Sequence, residues 1–176
     1  MAAATAMLAA CGGPKEAPPT LEMAQATAAH EARTELPLFL EQLKARPSDP
    51  SFTVTIQMPP EGSKPPAVLT MKNIVQTGSS FSGVIAKPDN NWPEFPAGAT
   101  LSFPDSIIID WSFTANRRPV GLFQTRARLC VASHDTAELN DEMRTQIKAE
   151  TAQLGNLVDP KKACAPYDPQ RDLDAK

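Results

Sequence analysis

The hydrophobic period along this chain is helical near the start, two through the middle, and helical again near the end. Ala32, Leu36, Phe39, Leu40 and Leu43 recur at helical spacing, and Glu31, Arg33, Glu35, Glu41, Gln42 and Lys44 fill most of the other face. That pattern predicts an amphipathic helix over 28–45. Pro37 conflicts with it, because an interior proline loses a hydrogen bond and crowds the preceding turn. Either the helix bends there, or Pro37 opens a second helix after an irregular Ala-rich lead-in. Pro47 and Pro50 end the segment.

Residues 52–58 then alternate, with Phe52, Val54, Ile56 and Met58 on one side and Thr53, Thr55 and Gln57 on the other, as a half-buried strand does. A Pro-rich turn leads to a second strand over 67–72, with Leu69 and Met71 in phase. Gly78-Ser79 turns the chain into a third strand over 80–86, with Phe81, Gly83 and Ile85 in phase. A loop with Asp89, Trp92, Pro93 and Pro96 precedes a short fourth strand over 99–103. The fifth strand, 106–113, places Ile107, Ile109, Trp111 and Phe113 on its inner face. Ile108 on the other face points to a strand covered on both sides. Residues 120–132 suit a sixth strand or a helix. Leu122, Arg126 and Cys130 sit at helical spacing, while Val, Phe and Thr favour a strand.

A helix is predicted over 136–153, capped by Asp135 or Thr136 and stopped near Gly155. Pro160, Pro166 and Pro169 then predict an irregular tail over 159–176. The order predicts one α+β domain over 28–158, an antiparallel sheet of five or six strands packed on an N-terminal helix, with a C-terminal helix.

Composition adds a location rather than an activity. The chain has 176 residues and a net charge of −3, which argues against a nucleic-acid partner. Eighteen prolines are an excess that collects in linkers and tails. Leu8-Ala9-Ala10-Cys11 matches a bacterial lipobox, in which small residues admit the extended chain to a signal peptidase and the Cys thiol is acylated. Residues 1–10 then read as the remnant of a signal peptide and 11–27 as a tether rich in Gly and Pro. The leader is short and lacks an initial Lys or Arg, which points to a start upstream of Met1 or a trimmed chain. The alternative is an Ala-rich N-terminus in which Cys11 is incidental. On the first reading, Cys11 anchors a periplasmic domain to a membrane of the bacterial envelope without a transmembrane helix. Cys130 and Cys164 form an even pair, a disulfide expected in an exported chain.

Familiar catalytic patterns are missing. His30-Glu31-Ala32-Arg33-Thr34 lacks the second imidazole of a zinc-protease helix. No Cys-x-x-Cys, nucleophile elbow, phosphate loop or dinucleotide fingerprint occurs, so neither a metal nor a cofactor is expected. Asp110 is the best polar candidate, either as an acid or base or as a group that orders the next turn or pairs with an arginine. Arg117, Arg118, Arg126 and Arg128 make the densest basic group. Between 51 and 134, seven Lys and Arg stand against five Asp and Glu. Such a face would meet an anionic headgroup, a glycan or an acidic partner. Trp92 is a contact residue if its loop projects, and Trp111 joins Asp110 among the possible ligand contacts.

The run Gly78–Ile85, the run Ala97–Phe103, Ile109-Asp110-Trp111, and Gly121 with Thr125 and Arg126 or Arg128 together resemble the bacterial YegJ-like family (domain of unknown function 2314). Ala32-Arg33 and Phe39 match the helix that precedes these motifs in that family. The resemblance covers about 28–132. It lacks an aromatic near Met71, and the segment from Cys130 to Lys176 is additional. The family has no established activity, so the resemblance implies the fold rather than a reaction. The expectation is a lipid-anchored envelope protein that binds a protein or polymer partner, with an accessory subunit of a larger complex and an envelope hydrolase using Asp110 as alternatives.

Overall fold

The computed structural model describes residues 19–134 and 163–174, together with Asp141, Thr145, Ile147 and Ala149. Helix α1 spans Leu21–Thr34, and Thr20 caps it by accepting the Met23 N–H. Helix α2 spans Leu36–Ala45, with Pro37 in its first turn, where a missing N–H costs nothing. Pro37 therefore opens a second helix. The lead-in is helical rather than irregular, and the tether expected over 11–27 gives way to helix at Leu21.

Six strands follow: β1 Thr53–Met58, β2 Ala67–Thr77, β3 Ser80–Lys87, β4 Thr100–Pro104, β5 Ile108–Ala115 and β6 Arg118–Gly121. They form one antiparallel sheet in the order β4-β3-β2-β1-β5-β6. Helix α3, Phe123–Ser133, comes directly after β6, so the ambiguous segment contains a strand end and then a helix. A short helix α4, Pro169–Asp174, lies in the tail that was expected to be irregular. The fold is α+β.

Alternation in β1 is as predicted, with Phe52, Val54 and Ile56 buried. Three irregularities reset it elsewhere, and one of them, in β3 between Ile85 and Lys87, turns Lys87 outward to face Thr70. In β2 the pairing with β3 shifts between Lys72 and Val75, where Asn73 takes a positive φ, and this carries Ile74 back into the core. In β5 the register against β1 shifts after Thr55, so that Thr55 faces Asp110 while Ile56 faces Ile108. The extra residue turns Ile109 outward and puts Ile108 in the core beside Trp111 and Phe113. The predicted inner set of Ile107, Ile109, Trp111 and Phe113 is corrected accordingly. Ile107 lies in a 3-10 turn against the rim of the core.

The inner face is aromatic. Phe39 of α2 touches Phe52, Trp111 and Phe113, and Phe123 at the start of α3 meets Trp111 edge-on. Trp111 donates its indole N–H to Ala32 O at 2.7 Å, tying β5 to α1 through an otherwise orphaned buried donor. Gly121 is required here. Its φ is 90°, and a Cβ would sit 2.1 Å from Trp111 O.

Cys130 and Cys164 are joined as expected. The bridge docks the tail, where Tyr167 packs on Phe123 and its hydroxyl bonds Asp172 and the Gly121 N–H. The predicted helix over 136–153 falls mostly outside the described residues. Ile147 from it is helical and buried with Leu129 and Val131. Cys11 and its lipobox also lie outside them.

Candidate functional site

The outer face of the sheet is built from the residues that β1 and its neighbours turn away from the core. Strand pairing aligns Asp110, Thr55, Thr70 and Lys87 in one row across β5, β1, β2 and β3. At a strand spacing of about 4.8 Å such a row spans about 14 Å. Beside it Thr53 and Ser112 share a hydrogen bond of 2.9 Å. Helices α1 and α3 wall this surface with Glu22, Gln25, Gln124 and Arg128, enclosing a groove of about 670 Å³. Its lining mixes hydroxyl and amide side chains with apolar ones such as Val68, Ile109 and Leu122, with Lys87 and Arg128 as cations and Glu22 as an exposed anion.

Asp110 sits at the buried end of the row. Its carboxylate accepts N–H bonds from Trp111 at 2.8 Å, Phe123 at 2.9 Å and Gln124 at 3.1 Å. Phe123 and Gln124 open α3, so Asp110 caps that helix from a neighbouring strand. This does the work that Leu122 cannot, because Leu122 sits at the cap position in a left-handed conformation with no side-chain bond to give. Burial pushes the Asp110 carboxyl up to about 7, against the pull of the three N–H donors and the Arg126 guanidinium. Gln124 completes the junction by donating to Gln25 O and Ile109 O, which ties α3 to α1 and to the bulge of β5.

The four arginines do not share a face. Arg117 and Arg118 are exposed at the β5–β6 turn, where Asn116 and Arg117 both have positive φ. Arg126 turns toward the tail, pairs with Asp172 at 3.1 Å, stacks 3.6 Å over the Tyr167 ring and donates to Gly121 O. Only Arg128 lines the groove. The basic face expected of the whole set is therefore corrected to one groove residue, one structural cation and a hairpin tip. Helical phase separates Arg126 from Arg128, and the hairpin carries the other pair away.

Neither tryptophan projects. Trp111 is core. Trp92 is 2% exposed, stacks on Phe95 and donates its indole N–H to Pro65 O, so the loop over 88–99 folds back onto the sheet edge. Lys64 lies 4.7 Å above its ring and pairs with Glu94.

Lys87, Thr55, Thr70 and Gln124 were not singled out in the sequence. The polar half of the β1 alternation was the available signal, since Thr53, Thr55 and Gln57 at the outward positions are a composition, not a motif. Comparisons with family models, with curated proteins and with solved structures found no match. Among the described residues no helix is long and apolar enough to cross a membrane.

Proposed function

We propose that this protein is a binding module of the bacterial envelope, displayed from a membrane by acylated Cys11, whose groove holds a carboxylate-bearing glycan strand. The observation that carries the reading is the row Thr55–Thr70–Lys87 on the groove floor with Ser112 and Thr53 beside it. Hydroxyls at strand spacing offer paired donors and acceptors to a chain of sugar hydroxyls, at intervals comparable to one sugar ring. Lys87 closes the row with a cation suited to a carboxylate, and Arg128 supplies a second from the helix wall. Acylation at the lipobox would hold such a module beside envelope polymers, and the proline-rich segment behind it would give reach, which supports the reading.

Calorimetric titration with soluble carboxylated glycan strands tests this. Wild type binds, Lys87→Glu weakens binding at least tenfold, and a neutral strand of equal length binds as weakly as the variant does to the charged one. Equal affinity in all three combinations, or no binding by wild type, rejects it. Membrane attachment is tested separately by palmitate labelling in cells, where Cys11→Ser abolishes the label.

A second reading has one observation in its favour. Asp110 lines the groove with a carboxyl raised to about 7, a range suited to a proton donor at neutral pH. Its two oxygens are already engaged by three backbone donors, which favours the capping role. Mass spectrometry of the glycan after prolonged incubation separates the two readings: cleavage that disappears in Asp110→Asn makes the protein a hydrolase, and an intact strand leaves it a binder.

A further inference from the structure

The second cluster of chemically active side chains lies at the far end of α3. Cys130 is buried near the end of that helix, and its partner Cys164 is exposed. His134 follows Cys130 by one helical turn, which puts its ring on the same side of the helix. The His134 Nδ1 atom lies 2.9 Å from Cys130 O and 3.7 Å from Cys164 Sγ. The two sulfurs and the imidazole come within 4.8 Å of one another. The bridge also borders a cavity of about 250 Å³ between α1, α3 and the tail, so its sulfurs are not sealed in the core. The imidazole bonds a carbonyl in the last turn of α3 and at the same time stands beside the bridge. Two thiolates and an imidazole are a donor set for zinc.

We infer that Cys130, His134 and Cys164 form a redox-gated site for a zinc-like divalent cation, closed as the disulfide and opened by a dithiol reductant. The thiolate of the dithiol attacks the exposed Cys164 Sγ, the sulfur–sulfur bond breaks, and its electron pair leaves on Cys130 Sγ. The second thiol of the reductant resolves the mixed disulfide and departs oxidised. The two electrons it supplied and its two protons remain on Cys130 and Cys164. A divalent cation then displaces those two protons and leaves a neutral bis-thiolate centre. One nitrogen of His134 is the third donor, and the Cys130 carbonyl is placed to orient the ring. Water fills the fourth position. The site is independent of the groove and stands or falls without it.

The test uses the full chain carrying Cys11→Ser, so that only the paired cysteines contribute thiols. Oxidised protein and protein reduced under nitrogen, with the reductant removed, are titrated with Co²⁺ and followed by absorption, with circular dichroism as the check on folding. The reduced form is expected to develop thiolate-to-cobalt charge transfer together with the d–d bands of a tetrahedral centre, and Zn²⁺ bleaches both. The oxidised form stays colourless. His134→Ala, which leaves the bridge and the oxidised fold in place, weakens cobalt binding by at least about tenfold in the reduced state. If reduction unfolds the chain, added Zn²⁺ is expected to restore the native spectrum. Absence of charge transfer in the reduced form, equal affinity in His134→Ala, or a reduced chain that Zn²⁺ does not refold overturns the inference.

Discussion

The two faces of this sheet are made by the same strands and serve opposite ends. On one face β1 and the residue before it contribute Phe52, Val54 and Ile56, none more than 2% exposed, and on the other Thr53 and Thr55, half-buried in the groove. The inner face is held by shape, through aromatic rings touching from four elements. The outer face is organised by hydrogen-bonding groups at fixed intervals. A slip of one residue would exchange them, so every residue of β1 is committed by its neighbour. The bulge in β5 is where the two demands meet. It keeps Ile108 and Trp111 both inside, turns Ile109 out, and delivers Asp110 to the start of α3.

The comparison breaks hardest at the inner face. Trp111→Ala removes a ring that touches Phe39, Phe113 and Phe123, together with the bond to Ala32 O, and is expected to lower stability by about 3–5 kcal/mol in urea denaturation. Next comes the bridge that pins the tail over the rim of that core. Cys164→Ser opens a link between residues 34 apart and is expected to cost about 3–4 kcal/mol by the same measurement.

Asp110→Asn acts at the junction between the faces. The amide keeps one acceptor oxygen but sets an NH₂ against an N–H donor, for an expected loss of about 1–3 kcal/mol. The pH dependence sharpens this. A carboxyl raised from 3.8 to about 7 on folding favours the native state in its protonated form. That contribution is complete below pH 3.8 and is lost as pH rises through about 7. Urea midpoints of wild type minus variant are therefore expected to fall over this interval. Asp49 and Asp89 lose stability in the acid direction, because backbone N–H donors hold their carboxyls low, and they cancel in the difference since both proteins carry them. The smallest effect on stability belongs to the outer face. Thr55→Val should change the unfolding free energy in urea by no more than about 0.5 kcal/mol while weakening glycan binding measurably. A large loss of stability would show that the hydroxyl row supports the fold rather than a ligand.

Period and punctuation were enough to read helix over 28–45, which the structure divides between two helices, the five longer strands and the antiparallel sheet, because a buried face imposes its spacing directly on the residues. The disulfide was legible from the pair of cysteines that remains once Cys11 is set aside. The candidate site was legible only in part. Asp110 stood out as a polar residue beside a core tryptophan, and Arg128 as one of four arginines. Lys87 and Thr70 did not stand out, because their meaning lies in being opposite Thr55, and register is set by turns and bulges rather than by any one strand. The Cys130–His134 turn was local, but its third member arrives through a bridge spanning 34 residues.

What the amino-acid order determined alone was therefore the alternation of β1, the turn at Gly78 and the class of fold, since each follows from neighbours within a turn or a strand, while Pro37 left a bend and a second helix both open. Only the tertiary structure decided where the bulges fall, that Asp110 caps a helix instead of standing free, and that Arg126 is spent on the tail while Arg128 faces a groove. Those outcomes depend on which distant backbone donors and carboxylates are left needing a partner once the core has closed, and no local stretch of the chain contains that information.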